Sequence, residues 1–216
     1  MPFKHKLVLF DLDGTLLDTL DDLGAAVNEA LRVRRLPCHD REEYMKMVGH
    51  GVRNLVMQAL PAELQADDTL IDAALADFKA FYTANIADRT HPYPGMQELV
   101  SELNSSGIRL AVVSNKFQEG TEYLVGRFFP GIPFAAVLGN RPGCPLKPSP
   151  ELVAEVLKHT GISREVAVLV GDSPTDMKTA ENGGIQGIAV TWGYRPMKGF
   201  PGVSTADSAE ELRRLL

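Results

Sequence analysis

Leu7-Val8-Leu9-Phe10-Asp11-Leu12-Asp13-Gly14-Thr15-Leu16 is the stretch on which the fold turns. A short unbroken apolar run reads as a strand buried on both faces, the pattern of a parallel sheet. The run stops at Asp11, and a second acid follows at Asp13. Gly14 then lets the chain turn sharply. Two carboxylates two residues apart at a strand end repel each other unless positive charge lies beside them. A hard divalent cation with oxygen ligands answers that need. A helix-capping aspartate in a polar loop accounts for one of these acids and leaves the other unexplained.

Working outward, Ile108–Val113, Phe134–Leu138, Val166–Val170 and Gly187–Thr191 repeat the apolar pattern. Amphipathic stripes alternate with them, such as Leu99, Val100 and Leu103, or Leu152, Val156 and Leu157. This alternation predicts a doubly wound α/β sheet of five parallel strands with right-handed crossovers. The first interval is the exception: roughly 95 residues separate Phe10 from Ile108, far beyond a single crossover of a dozen or more. Three helical stripes fill it. They are Leu20, Leu23, Val27, Ala30 and Leu31; Val52, Leu55, Val56 and Ala59; and Leu70, Ala74, Leu75, Phe78, Phe81 and Tyr82. Residues 16–88 are therefore expected to form an inserted helical domain, with 1–15 and 89–216 as the α/β core. Pro92, Pro94 and Gly95 mark the return linker, Ala87–Gly95. Gly199 to Gly202 reads as a loop over the last helix.

The bulk properties limit the function. A chain of 216 residues can hold one core and a small insert. A formal charge of −6 argues against a general nucleic-acid binder, which needs a basic stripe. Anionic substrates stay open, because a bound metal reverses the sign locally. Cys38 and Cys144 lie far apart without Cys-x-x-Cys spacing. That speaks against a disulfide framework or zinc site and for reduced thiols in a cytoplasmic protein. The N-terminal apolar run is too short for a signal-peptide core, and no run approaches the ~18 residues of a membrane span. The sequence sets no oligomeric state.

In open α/β sheets, ligands gather outside the carboxyl ends of the strands. Gly171-Asp172-Ser173-Pro174-Thr175-Asp176 follows the fourth run. Ser173 as N-cap, Pro174 at the first helical position and Asp176 in a capping-box pair account for Asp176. They leave Asp172 at the strand end as a metal ligand. Ser114-Asn115-Lys116 follows the second run. Its hydroxyl and amide suit either a phosphoryl oxygen or an ordinary turn. Lys147, ahead of Pro148-Ser149-Pro150, would be a solvated lysine on its own. Beside several carboxylates and a phosphate, it is the fixed cation that such a site needs.

Taken in order, Phe10-Asp11-Leu12-Asp13-Gly14-Thr15-Leu16, Ser114-Asn115, Lys147-Pro148 and Gly171–Asp176 resemble the haloacid dehalogenase-like hydrolases. A helical insert directly after the first motif is similar to the helical-cap subgroup. Val48–Arg53, Tyr93-Pro94-Gly95, Val112–Lys116 and Thr191–Arg195 resemble phosphoglycolate phosphatases and their relatives. The resemblance implies a Rossmann-like core under an all-helical cap and a Mg²⁺-dependent phosphatase acting on a small-molecule phosphate ester. It implies Asp11 as nucleophile through an aspartyl-phosphate, and Asp13 as the acid that protonates the leaving oxygen. Mg²⁺ would be held by Asp11, the Asp13 backbone carbonyl and Asp172, with Asp176 alongside. Ser114 and Asn115 would hold phosphoryl oxygens, and Lys147 would balance charge. Dehalogenases resemble this site but lack the second aspartate, so carbon–halogen hydrolysis is disfavoured.

For the insert, Leu16–Thr19 and Ala87–Gly95 are the expected hinges, and Thr19 with Asp22 resembles a helix start. Gly49, His50, Gly51 and Arg53 suit either contact with a second anionic group of the substrate or a plain inter-helix turn. His5, His39, His91 and His159 read as surface or packing residues, and Trp192 and Tyr194 as core or rim packing. A phosphomutase of the β-phosphoglucomutase type and a catalytically silent binding protein remain the competing readings.

Overall fold

β1 (Leu7–Phe10) is flanked on both sides by strands, and all four of its side chains are fully buried. The computed structural model describes residues 3–195, 197 and 202–216. The chain divides into two compact units: Met1–Asp18 with Pro92–Leu216, and Thr19–His91.

The first unit is the α/β sheet. β1 leads through a tight loop to β2 (Leu17–Asp18). After the helical unit, β3 (His91–Pro92) leads into α5 (Met96–Ser105), β4 (Arg109–Phe117), α6 (Gln118–Phe128) and β5 (Ala136–Asn140). Then come α7 (Glu151–Thr160), β6 (Ala167–Gly171), α8 (Pro174–Gly183), β7 (Gln186–Val190), β8 (Ser204–Ala206) and α9 (Ala209–Leu215). The main sheet runs β5-β4-β1-β6-β7-β8, and every recorded pairing in it is parallel. Among the described residues it has six strands, one more than the sequence suggested. β8 is three residues long with only Ala206 buried, so it leaves no apolar run to read.

The chain leaves β1 toward β4 and β5, and returns on the opposite side at β6. β1 is thus the topological switch point, where doubly wound sheets bind ligands. Its register is fixed by burial: Leu7 and Leu9 pack with Ala111, Val113, Ala167 and Leu169 against Leu152, Val153 and Val156 of α7. A one-residue slip would reverse which side chains meet that layer.

The helical unit holds α1 (Leu20–Val33), α2 (Arg41–Met47), α3 (Val52–Ala59) and α4 (Asp68–Asn85). The α1 stripe is buried as its spacing predicts. On α4 the buried face is Ile71, Ala74, Phe78 and Tyr82, while Leu70, Leu75 and Phe81 are half-buried at its edge. α2 offers no stripe, since Tyr44 is its one buried residue. Thr19 precedes α1 without a side-chain cap bond. Asp22 does not complete a cap there; its buried carboxylate accepts Arg89 N–H at 3.0 Å, Thr90 N–H at 2.8 Å and the Thr90 hydroxyl at 2.7 Å.

The unit boundaries fall at Asp18/Thr19 and His91/Pro92, three residues beyond the expected 15/16 and 88/89. The cause is local. The Leu12 carbonyl accepts the N–H groups of Thr15, Leu16 and Leu17 at 3.3, 3.1 and 3.0 Å, and Leu12, Leu16 and Leu17 are fully buried. This loop folds back as part of the α/β unit. Of the Gly199–Gly202 loop, Gly199 to Pro201 lie outside the described residues.

Candidate active site

The carboxylates at the centre of the site are placed by two strand ends and the first turn of one helix. Asp11 ends β1, and its N–H donates to the Val170 carbonyl of β6 at 2.9 Å. Asp172 follows β6. Asp176 sits in the first turn of α8, where Ser173 and Asp176 complete the capping box, with Pro174 opening the helix. Asp11, Asp172 and Asp176 are all buried, and each offers an oxygen within 4.8 Å of the others.

Lys147 answers this charge. Its Nζ lies 2.7 Å from Asp11 Oδ1 and 2.7 Å from Asp176 Oδ1. The other Asp176 oxygen accepts the Ser173 hydroxyl at 2.6 Å and the Ser173 N–H at 3.1 Å. Asp176 therefore caps its helix with one oxygen and holds the lysine with the other. Burial pulls Lys147 toward neutrality, but Asp11 and Asp176 outweigh it, and its pKa stands above that of an ordinary lysine. The two carboxylates favour the charged ammonium.

One ammonium among three carboxylates leaves two negative charges over. The acids register the deficit. Burial raises Asp11 to about 7, with Lys147 opposing and Asp176 adding to the shift. Burial, then Asp176 and Asp11, raise Asp172 well above the usual carboxylate range, while the Tyr194 N–H holds it down. Oxygen-only donors, deep burial and an unmatched double negative charge fit a hard divalent cation.

Asp13 stands outside this cluster. Its carboxylate forms a forked ion pair with Lys116 Nζ, at 3.0 and 3.2 Å, and the Lys116 side chain is 1% exposed. Ser114, Asn115 and Lys116 lie on β4 itself, not in a turn beyond it: β4 continues to Phe117, with a register shift against β5 between Val113 and Phe117. Ser114 is buried and its hydroxyl accepts the Lys116 N–H at 3.2 Å, which leaves the hydroxyl hydrogen to donate. The Asn115 side chain reaches the Lys147 backbone. Its Oδ1 accepts the Lys147 N–H at 2.8 Å and its Nδ2 donates to the Lys147 carbonyl at 3.1 Å. The amide clasps the lysine backbone.

The structure therefore brings together Asp11, Asp172, Asp176 and Lys147, with Asn115 behind the lysine and Asp13 paired to Lys116. Gly49, His50, Gly51 and Arg53 belong to the helical unit. Gly49 and Gly51 make the turn from α2 to α3 with φ of 122° and 81°. Arg53 is engaged within that unit, with Asp68 at 2.7 Å and Asp72 at 3.2 Å, both on α4. Sequence reasoning missed Lys116 as the partner of Asp13 and Tyr194 as a donor to Asp172, at 2.7 Å. The sequence offered Tyr194 as a packing ring and within Thr191–Arg195, and neither reading concerns its backbone N–H.

Comparison with known proteins bears on this arrangement. A family model described as haloacid dehalogenase-like hydrolase matches residues 8–190. Over 192 residues the chain is 34% identical to a phosphoglycolate phosphatase of Mesorhizobium japonicum, covering 88% of this chain and 85% of that one. A solved structure from Lactobacillus delbrueckii subsp. bulgaricus, provisionally assigned as a phosphoglycolate phosphatase, superposes with a TM-score of 0.91 at 32% identity over 99% of each chain. A variant of CbbY from Rhodobacter sphaeroides, solved with xylulose-1,5-bisphosphate, superposes with a TM-score of 0.79 at 25% identity over 96% of each chain.

Proposed function

The chain belongs to the haloacid dehalogenase-like hydrolases, and on that footing we propose that it is a Mg²⁺-dependent phosphatase of small phosphate monoesters, with phosphoglycolate its first candidate substrate. The observation that carries this reading is the buried trio Asp11, Asp172 and Asp176 around a single lysine. Relatives named as phosphoglycolate phosphatases support the choice of substrate. Two free cysteines suit a cytoplasmic setting, and among the described residues no helix is long and apolar enough to cross a membrane.

Asp11 attacks phosphorus with a carboxylate oxygen. The new O–P bond gives an aspartyl-phosphate as the ester P–O bond breaks. Asp13 donates its proton to the departing alkoxide, then takes a proton from the water that attacks the aspartyl-phosphate. Breaking the Asp11–phosphorus bond restores the carboxylate and releases inorganic phosphate. Ser114 donates its hydroxyl hydrogen to a phosphoryl oxygen. Lys147 neutralises Asp11 and the incoming phosphate together, which two anions in contact require. Asp11, the Asp13 backbone carbonyl and Asp172, with Asp176 alongside, would hold Mg²⁺, which would supply Lewis-acid charge at the phosphoryl group.

The test is phosphate release across a panel of esters, with and without Mg²⁺, for the native chain and Asp11→Asn. Mg²⁺-dependent release that vanishes in the variant is expected, since Asn keeps the shape and loses the nucleophile. Release that survives Asp11→Asn overturns the aspartyl-phosphate mechanism. The likeness to CbbY favours one second reading, a phosphatase or mutase of sugar bisphosphates. Transfer of labelled phosphate to a sugar without free phosphate would establish the mutase, and phosphate release from sugar bisphosphates alone the phosphatase.

A further inference from the structure

Asp172 is gripped by backbone from two directions. One of its oxygens accepts the Tyr194 N–H at 2.7 Å. A Cβ at Gly14, whose φ is 91°, would lie 2.4 Å from that Oδ2. A Cβ at Gly193 would lie 2.3 Å from the Asp172 Cβ and 2.4 Å from the Gly14 carbonyl oxygen. Both positions therefore exclude any side chain. The loop after β7 that supplies Gly193 and Tyr194 also holds the segment following the paired acids. Trp192 Nε1 donates to the Thr15 carbonyl at 3.1 Å, and the Tyr194 hydroxyl lies 3.2 Å from Asp18 Oδ1. The Trp192 ring stands 6.2 Å from that of Tyr93. All of these residues belong to the α/β unit.

We propose that the loop Thr191–Tyr194 is the positioning element of the cation site, holding Asp172 through Gly193 and Tyr194 and the Asp11–Thr15 turn through Trp192, so that cation binding registers at Trp192. The proposal rests on the divalent-cation reading above. Its physical basis is that an anionic ligand with one oxygen already bonded has lost its rotational freedom. The free oxygen is then presented to a cation without a further ordering cost. Gly14 and Gly193 contribute by absence: they let backbone approach the carboxylate to a distance that any Cβ forbids.

Trp192 is the single tryptophan of the chain, so emission excited at the tryptophan-selective edge, beyond tyrosine absorption, reports this loop. The experiment adds MgCl₂ to the metal-free native chain and follows Trp192 emission and calorimetric heat in parallel. Emission is expected to change saturably along the calorimetric isotherm, with no response to KCl at equal ionic strength. Gly193→Ala is expected to weaken Mg²⁺ about tenfold or more, as loss of a ligand's outer contacts does. Trp192→Phe keeps a ring against Tyr93 and removes the N–H. It serves if Gly193→Ala does not fold, with Mg²⁺ binding weakened severalfold and the melting temperature in EDTA little changed. Native Mg²⁺ affinity in either folded variant overturns the proposal, as does silent Trp192 emission while heat reports binding. No calorimetric Mg²⁺ binding by the native chain overturns the metal reading itself, and is told apart because heat depends neither on Trp192 nor on turnover.

Discussion

Asp172→Asn is expected to stabilise the metal-free protein at pH 8 while abolishing its activity. At 4.8 Å, the outer limit of the spacing between the candidate ligand oxygens, a pair of like charges costs about 3.5 kcal/mol at an effective dielectric of ~20. Asp172 faces two such neighbours, Asp176 and Asp11, and one compensating ammonium, Lys147. One repulsion remains, so neutralising Asp172 should gain about 3 kcal/mol, or roughly 6–12 °C in melting temperature for a chain of this size. Asparagine keeps the shape, and its carbonyl still accepts the Tyr194 N–H. The pH dependence follows from the raised acids. A carboxylic acid whose folded pKa is raised holds its proton longer in the fold than in the unfolded chain. Its stabilising share is full below the ordinary value of about 4 and is lost as pH climbs through the folded value. For Asp11, raised chiefly by burial, that value is about 7. The native chain in EDTA should therefore lose stability from about pH 4 to 7, and the advantage of Asp172→Asn should shrink at pH 5. Mg²⁺ should reverse the order, because only the native chain gains by binding it. Differential scanning calorimetry at pH 5 and 8, in EDTA and in MgCl₂, reads all four cases. A lower melting temperature for Asp172→Asn in EDTA at pH 8 would sink the idea of an under-compensated acid cluster.

Three further substitutions probe the supports. Asn115→Ala strips two hydrogen bonds from the Lys147 backbone, at an expected cost of about 1–3 kcal/mol in thermal unfolding. Its kcat should fall by more than that stability loss explains, because Lys147 is released. Lys116→Met removes the forked partner of Asp13. Turnover of alkyl phosphates should drop more than that of p-nitrophenyl phosphate, whose leaving group needs little protonation, because Asp13 loses its fixed position; equal losses would deny Lys116 a part in that proton transfer. Asp22→Asn leaves the donors of Arg89 and Thr90 facing a group that itself donates, and should lower stability by about 2–3 kcal/mol in urea unfolding. An unchanged midpoint would show that this knot does not hold the helical unit.

The strands of the centre were legible because burial on both faces writes an unbroken apolar run. β1 and β6 lie between other strands, and both are wholly buried. Legibility fades toward the edge. β8 has a strand on one side only and buries a single residue, so nothing in Ser204-Thr205-Ala206 separates it from a loop. α2 is lost for the same reason, with only Tyr44 inward. β4 was read four residues short, since a buried strand that ends in Ser114, Asn115 and Lys116 looks like a turn when polarity is the guide.

The site divides along a different line. Asp11 and Asp172 were readable because an acid that terminates an apolar strand is a one-dimensional signal, and the sheet order then brings the two strand ends together. What each polar group does with its second atom was not readable. Asp176 was assigned a cap from its spacing to Ser173, and the cap is there, yet its other oxygen holds Lys147, 29 residues away. Asn115 was assigned a phosphoryl contact from its position after a strand, and its amide also bonds the backbone of Lys147, 32 residues on. These pairings depend on where a loop without apolar pattern passes the strand ends, and residues 141–150 carry no periodicity to say so. A buried lysine or amide must nevertheless find partners. Lys116 and Lys147 are both almost wholly buried, and the acids within reach of an Asp-x-Asp strand end are few. A lysine following Ser-Asn on a second strand end thus has a restricted set of counter-ions, and Asp13 is the member of that set which lies outside the Asp11, Asp172 and Asp176 cluster around Lys147.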